Sequence, residues 1–589
     1  MTRREFFSAI SLGAAAVAYP NCVLGTPQPA GGRRRQPNVV LVITDDQGYG
    51  DLACHGNPII QTPNLDKLYS QSIRLTDFHV DPTCSPTRSA LMTGRYSSRT
   101  GVWHTIMGRS LLRKDEVTMA DLFSGSGYRT GIFGKWHLGD NYPFRPQDRG
   151  FQEVLIHGGG GVGQGPDYWG NDYFDDTYQH NGQMETFKGY CTDVFFEHAM
   201  KFIEANKDRP FFCYLATNAP HAPYNVADKY SKPYRDKGVE SGQANFYGMI
   251  ANIDENIGWL MRHLKRLDLE KHTILIFMTD NGTSGGDSAG MRGKKGSEYD
   301  GGHRVPCFVR LPPFLSSARK TRGLNGPSDI EQLTAHIDLL PTLIELCGLK
   351  KPEAVKFDGS SLVPLLRAAP ANWPDRTLFV HSQRIEHPEK WRQSAVMTER
   401  WRLIDGKELC DIKVDPRQKD NIADRHLEVA DSLRRRYDDW WADISRRFGE
   451  YCEIIIGSDQ ENPSRLMSHD WHSPNPAWSQ GAVRSASLAN GFWAVEVARD
   501  GTYEFALRRW PIEVDEPINA AIPGGKAISA ITARLKIADV DVSIPVSKDA
   551  RAAVFQVSLK AGKTTLQTWL IDNDGTSRGA YYVYVKRLQ

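Results

Sequence analysis

Val39-Val40-Leu41-Val42-Ile43-Thr44-Asp45-Asp46 is the stretch on which the fold turns. It opens with an unbroken apolar run, mostly β-branched, and offers no polar face. Such a strand is buried on both sides, as in parallel sheets covered by helices. It ends in two carboxylates, and parallel sheets gather their functional groups at the carboxyl ends of strands. Ile274-Leu275-Ile276-Phe277-Met278 repeats the pattern and runs into Thr279-Asp280-Asn281. Phe211-Phe212-Cys213-Tyr214-Leu215 is another such run, starting just after Pro210. Helical periodicity lies between, as in Met249 to Leu267 with Ile253, Ile257, Leu260 and Leu264 on one face. The expected fold is α/β, a large mixed, mostly parallel sheet flanked by helices, over residues 37–452.

At 589 residues the chain has room for more than one domain. Residues 432–449 still read as helix, and beyond 453 the period changes to two. Tyr503, Phe505 and Leu507 alternate with Glu504 and Ala506 after the turn signal Asp500-Gly501. Phe555, Val557 and Leu559, then Leu566 to Leu570 and Tyr581 to Val585, extend this into a small antiparallel sheet. A smaller C-terminal all-β domain is expected at 453–589.

The amino terminus begins Thr2-Arg3-Arg4-Glu5-Phe6-Phe7, followed by a short Ala- and Gly-rich stretch and the small residues Ala16-Val17-Ala18. That order reads as a twin-arginine leader with a cleavage site. Arg33-Arg34-Arg35, beside Pro27, Pro29 and Gly31-Gly32, reads as a solvated linker, so residues 1–36 precede the folded chain. The protein is expected to be exported, to a bacterial periplasm or beyond. No other segment has 18 consecutive apolar residues, so no membrane span is expected. Lys and Arg (72) nearly cancel Asp and Glu (70), leaving +2 and no argument for a nucleic-acid partner. Nine scattered cysteines without a CxxC pair exclude a disulfide scaffold and a zinc knuckle, though one or two disulfides could form after export.

Asp45, Asp46, Asp280 and Asn281 offer hard oxygen donors at two strand ends. They suit Ca²⁺ or, as the alternative, Mg²⁺ rather than zinc. Either pair alone is explained by the turn-forming habit of Asp and Asn. Cys84-Ser85-Pro86-Thr87-Arg88 adds weight, because Pro86 suits a first helical turn and Gly94 a helix end. Cys84 then sits where free N–H groups and the helix dipole favour an anion, with Arg88 one turn in. Gly127 to Gly139 reads as a strand ending in Lys135 and His137, which face one way if extended. His221 follows a strand end between Pro220 and Pro223, and Lys294-Lys295-Gly296 precedes Tyr299-Asp300-Gly301-Gly302.

These segments resemble the type I, formylglycine-dependent sulfatases, arylsulfatase-like members of the alkaline phosphatase superfamily. The likeness covers most of residues 37–431 in the family's order. Cys84-Ser85-Pro86-Thr87-Arg88, with Leu91 and Thr93-Gly94-Arg95, is similar to the first family signature. Residues 127–139 are similar to the second, and Glu408 to Pro416 to the segment closing the catalytic domain. Thr87 and Asp300 depart mildly, standing where many relatives have Ser and Glu.

The resemblance implies an alkaline phosphatase-like sheet and a sulfuric ester hydrolase. It implies oxidation of Cys84 to formylglycine by a dedicated machinery. Ca²⁺ would be held by Asp45, Asp46, Asp280, Asn281 and the modified Cys84. Arg88 would steady the hydrated aldehyde, while Lys135, His221 and Lys295 bind the sulfate ester. Lys295 is preferred over Lys294 from the family's K-G-x-x-Y pattern. One hydroxyl of the hydrate would displace the alcohol, and deprotonation of the other, by His137, would expel sulfate. His221, with Lys295, would protonate the leaving oxygen. Twin-arginine export carries folded proteins, so the modification would precede folding and export.

Residues 157–182 open with Gly158 to Gly161 and carry Tyr168, Trp169, Tyr173 and Phe174 among Asp and Asn. No GK[ST] follows, so this is no P-loop. Aromatic faces beside polar groups suit sugar rings, making Trp169 a candidate substrate contact and a sulfated glycan the candidate substrate. The competing readings are a phosphonate or phosphodiester hydrolase of the same superfamily and a carbohydrate-binding protein without catalysis.

Overall fold

The computed structural model describes residues 36–320, 327–368 and 373–588. The leader and linker lie outside these, apart from Gln36. A ten-stranded mixed sheet organises the larger part. Its centre is parallel and runs Thr273–Thr279, Asn38–Thr44, Phe211–Ala216, Arg129–Lys135, Glu153–His157. Antiparallel pairings appear towards both edges, through Cys307–Arg310 on one side and Thr177–His180 on the other. Val39, Leu41 and Ile43 face one apolar layer, and Val40 and Val42 face the other, all fully buried. The 26-residue helix Ser241–Arg266 covers the second layer and buries Ile253, Ile257, Leu260 and Leu264.

A four-stranded antiparallel sheet follows, Leu378–His381, Ser394–Met397, Trp401–Ile404 and Glu408–Asp411, with the helix Leu427–Ile444 packed on it. Its first two strands are joined by residues 382–393, a connection that matters below.

Two sheets make up the C-terminal region, where the sequence suggested one. Six strands include Phe492–Val497, Gly562–Asp572 and Ala530–Ile537. Four strands are Ser464–Met467, Tyr582–Arg587, Gly501–Arg508 and Ala553–Leu559. Period-two strands have one apolar face each, and two such sheets bury those faces against one another. Trp493 and Leu535 from the first sheet share a core with Tyr503, Phe505 and Val583 from the second. Asp500 therefore does not turn a hairpin. It lies between Phe492–Val497 and Gly501–Arg508, which belong to different sheets.

Among the described residues no disulfide forms, and the eight described cysteines are free. Nor is any described helix long and apolar enough to cross a membrane.

Candidate active site

Strand register brings the two acidic strand ends together. Thr44 pairs with Thr279, so Asp45-Asp46 and Asp280-Asn281 leave the sheet side by side. Asp46 then takes a left-handed backbone (φ 64°) and its amide donates to Asp280 Oδ1 at 3.1 Å. Asn281 Nδ2 donates to Asp46 Oδ1 at 2.8 Å.

The helix Cys84–Thr93 ends against this cluster. It starts after an extended Thr83 whose side chain does not cap it, and stops at Gly94 (φ 66°). All of its residues are buried, an unusual condition for a helix carrying Arg88, and it is met by pairing. Arg88 Nη2 donates to Asp280 Oδ2 at 2.8 Å and Nη1 to the Lys135 carbonyl at 3.1 Å. Lys135 Nζ lies 2.6 Å from Asp45 Oδ2, and Lys295 Nζ 2.6 Å from Asp46 Oδ1. Lys135 ends its strand beside Ala216, and Gly134 permits that approach. A Cβ there, at φ 115°, would stand 1.9 Å from the Ala216 carbonyl oxygen.

A divalent cation suits these donors. The ligand atoms of Asp45, Cys84 and Asp280 lie within 4.8 Å of one another, all buried. Asp45 Oδ1 and Asn281 Oδ1 are buried acceptors with no hydrogen-bond partner. Burial, and then the Asp45 carboxylate, push the Asp280 carboxyl up to about 7, the sign of crowded negative charge. Burial works against ionisation of Asp46 as well, but Lys295 and His221 hold it well below the usual range.

His137 differs from its expected placement. The strand ends at Lys135 and His137 is left-handed (φ 59°), so the two side chains do not share an extended face. Its Nε2 hydrogen-bonds the Thr105 carbonyl at 2.8 Å, which puts the ring hydrogen there. Nδ1 is buried without a partner and is left as a bare acceptor. Burial, and then the Lys135 charge, keep this imidazole neutral. His221 lies across the site, its Nε2 3.8 Å from Asp46 Oδ2 and its Nδ1 2.7 Å from the Ala222 carbonyl. Burial, and then Lys295, push it down to about 4.

The glycine run after Glu153–His157 fits between the two histidines. A Cβ on Gly160 would sit 2.1 Å from His137 Cε1, and one on Gly161 3.1 Å from His221 Nδ1. These glycines were legible as a loop but not as spacers. Gly160→Ala is expected to displace the His137 ring and lower kcat by roughly 10²-fold, as an ångström of misplacement does. Steady-state kinetics beside a thermal melt checks this, and unchanged kcat would contradict it.

In a second polar cluster, His79, Asp300 and His303, the histidine nitrogens are all engaged, while Asp300 Oδ2 is buried without a hydrogen-bond partner. His79 Nδ1 bonds His303 Nδ1 (2.9 Å), His79 Nε2 bonds Asp77 (2.9 Å), and His303 Nε2 bonds the Glu298 carbonyl (3.0 Å). Arg402 bridges Asp77 and Asp300 at 3.0 and 3.1 Å. With every ring nitrogen engaged, this network braces the segment following Lys295.

Trp169 packs against the C-terminal region. Its ring stands edge-on to Trp510 (5.6 Å, 89°), with Arg484 4.9 Å over it, so the loop is tied to the C-terminal sheets. The C-terminal region sends in His469. Its ring lies 6.3 Å from that of His137, and its Nδ1 lies 2.9 Å from Asp470. The only sequence signal is the His-Asp pair itself. A cleft of about 1190 Å³ opens from Lys295. His104, Arg384 and Arg392 line it, as do Trp478 and Phe492.

Residues 37–349 match the family model described as Sulfatase, and residues 294–440 match the C-terminal model of N-sulphoglucosamine sulphohydrolase. Human arylsulfatase A is 32% identical over 473 residues, covering 74% of this chain and 86% of that one. Rat N-acetylgalactosamine-6-sulfatase is 29% identical over 378 residues, covering 58% and 66%. Among solved structures, Ps i-CgsB in complex with k-i-k-neocarrahexaose aligns with a TM-score of 0.63 at 26% identity, covering 71% of this chain and 95% of that one.

Proposed function

The chain belongs to the sulfatase family and is a sulfuric ester hydrolase, and from that premise we propose that it hydrolyses sulfate monoesters of carbohydrates at a formylglycine derived from Cys84, beside a bound Ca²⁺. The observation carrying this reading is the convergence of Asp45, Cys84 and Asp280 at the start of a buried helix. Asp45, Asp46, Asp280, Asn281 and the modified Cys84 would hold the ion. Bound there, Ca²⁺ would supply Lewis acidity towards a sulfuryl oxygen, and the modified Cys84 a nucleophilic hydroxyl.

The remaining chemistry falls to the chain's own side chains. Arg88, pinned to Asp280 and the Lys135 carbonyl, is a fixed positive charge beside Cys84. Lys135 and Lys295 hold ammonium groups where sulfuryl oxygens gather charge. The bare Nδ1 of His137 can take a proton. Lys295 and His221, both at Asp46, can hydrogen-bond the leaving oxygen and return one. Three carboxylates face three permanent cations here, so a divalent ion tips the site to a net positive charge that suits an anionic sulfate ester.

The carbohydrate assignment draws on the hexaose complex of Ps i-CgsB and on the aromatic faces along the cleft. In this reading residues 37–452 form the catalytic unit and 453–589 an accessory β unit. Export follows modification by the formylglycine-generating machinery.

Two measurements test the proposal. Mass analysis of the Cys84 peptide should find formylglycine in protein from a host able to make it. Parallel assays should favour an aryl sulfate over an aryl phosphodiester, and dominant diesterase activity would favour the phosphonate or phosphodiester hydrolase reading.

A further inference from the structure

The cleft that opens from Lys295 has a second concentration of positive charge. Arg384 and Arg392 lie on the connection between the first two strands of the four-stranded sheet. Arg392 Nη1 donates to the Ser382 carbonyl and, at 2.8 Å, to Gln393 Oε1, and neither arginine forms an ion pair among the described residues. The nearby Glu386 spends one oxygen, Oε1, on Arg109 and His472, each at 2.9 Å, and its Oε2 is buried without a hydrogen-bond partner among the described residues. The other carboxylate on the wall, Glu298, follows Lys295 closely in the chain.

His104 supplies the third group. It is 96% buried, and its Nδ1 accepts from the amides of Thr105 (2.7 Å) and Ile106 (3.2 Å). That arrangement places the ring hydrogen on Nε2, which makes no hydrogen bond among the described residues. Burial first, and then the charge of Arg384 with Arg392 adding to it, push this imidazole down to about 3. His104, Arg384 and Arg392 line one cleft. Trp478, 44% exposed, and Phe492 line the same cleft. They lie in residues 441–588, beyond both matched family models.

We propose that His104 Nε2, Arg384 and Arg392 form a second anion subsite, which binds a further sulfate or carboxylate on the same glycan whose sulfate ester is hydrolysed. This rests on the carbohydrate reading above. One neutral donor and two guanidinium groups match an oxyanion with several acceptor oxygens. The aromatic side chains offer apolar faces for the sugar rings between the two anionic groups. The preferred substrate class is then an oligosaccharide carrying at least two anionic groups, and the C-terminal region contributes directly to its recognition.

The same chemistry would also suit inorganic sulfate leaving as product, and the experiment separates the two sources. The full-length enzyme and its Arg384→Ala, Arg392→Ala and Arg384→Lys variants are compared on 4-nitrophenyl sulfate and on mono- and disulfated disaccharides of one backbone. Inorganic sulfate is tested as a competitive inhibitor, and thermal melts check folding. The alanine variants should lower kcat/KM for the disulfated disaccharide at least tenfold more than for the aryl sulfate, mainly through KM. Lysine should restore part of the loss.

Equal losses on all substrates would overturn the subsite. So would a loss of sulfate inhibition as large as the loss on the disaccharide, which would make this a product-release site. Aryl sulfate turnover without turnover of either disaccharide would overturn the subsite together with the carbohydrate reading. No aryl sulfate turnover at all would count against the proposed reaction instead.

Discussion

Cys84→Ala is expected to lower turnover of an aryl sulfate by roughly 10⁴- to 10⁶-fold, the scale seen when a covalent nucleophile is removed from an otherwise intact site. Cys84 is 3% exposed and its sulfur lies among the Asp45 and Asp280 carboxylates. The adjacent hydroxyl, on Ser85, is turned to the His137 carbonyl at 2.9 Å. The nearby lysines and Arg88 are cations committed to carboxylates, and His137 offers a base rather than a nucleophile. The residual rate would come from binding and charge stabilisation alone. Stability should change little, by about 1 kcal/mol, because the helix is held by Arg88 and by its packing rather than by the thiol. Aryl sulfate turnover and a chemical melt on the same preparation check both statements. A variant retaining a tenth of the activity in a folded state would remove Cys84 from the mechanism.

The sequence was most informative where one residue had one job. A doubly buried strand has to be apolar throughout, so Val39 to Ile43 announced the centre of the sheet. The helix at Cys84 was legible because Pro86 and Gly94 mark its two ends locally. Asp45 and Asp280 could be paired because parallel strands end on the same edge. Other features depended on residues distant in the chain. His137 was expected to share a face with Lys135, but a left-handed turn at that residue sends its ring to the Thr105 carbonyl instead. Gly160 looks like any loop glycine until the His137 ring is placed against it. Trp169 was a reasonable sugar platform by composition, yet Trp510, some 340 residues later, takes up its ring. The single C-terminal sheet divided into two because alternation fixes which residues are buried but not which strands share hydrogen bonds. His104 and His469 bond their own chain neighbours, and carried no signal for the site because the residues they meet there, Arg384 and Arg392 along the cleft and His137 beside His469, come from other parts of the chain.

Stripping the enzyme with a chelator is expected to abolish turnover, by about 10³-fold or more, while leaving the protein folded. The two halves of this outcome have different causes. Activity falls because the acidic cluster with its unpartnered oxygens, Asp45 Oδ1 and Asn281 Oδ1, loses the group that would organise it around the sulfuryl oxygens. The fold survives because each carboxylate has its own cation, Lys135 on Asp45, Lys295 on Asp46 and Arg88 on Asp280. No net buried charge is left behind. What is lost is the binding free energy, which for an ion at a thousand times its Kd is about 4 kcal/mol. For a chain of this size that should appear as a fall in melting temperature of roughly 3 °C. Ca²⁺ should restore both rate and melting temperature, and Mg²⁺ less of each, because its stricter octahedral demand fits a crowded carboxylate cluster less well. Recovery by Zn²⁺ alone would contradict the oxygen-donor reading of the site. A melting temperature indifferent to chelator and calcium, in an enzyme that stays fully active, would mean that Asp45, Asp46 and Asp280 serve only to fix Lys135, Lys295 and Arg88 around the anion.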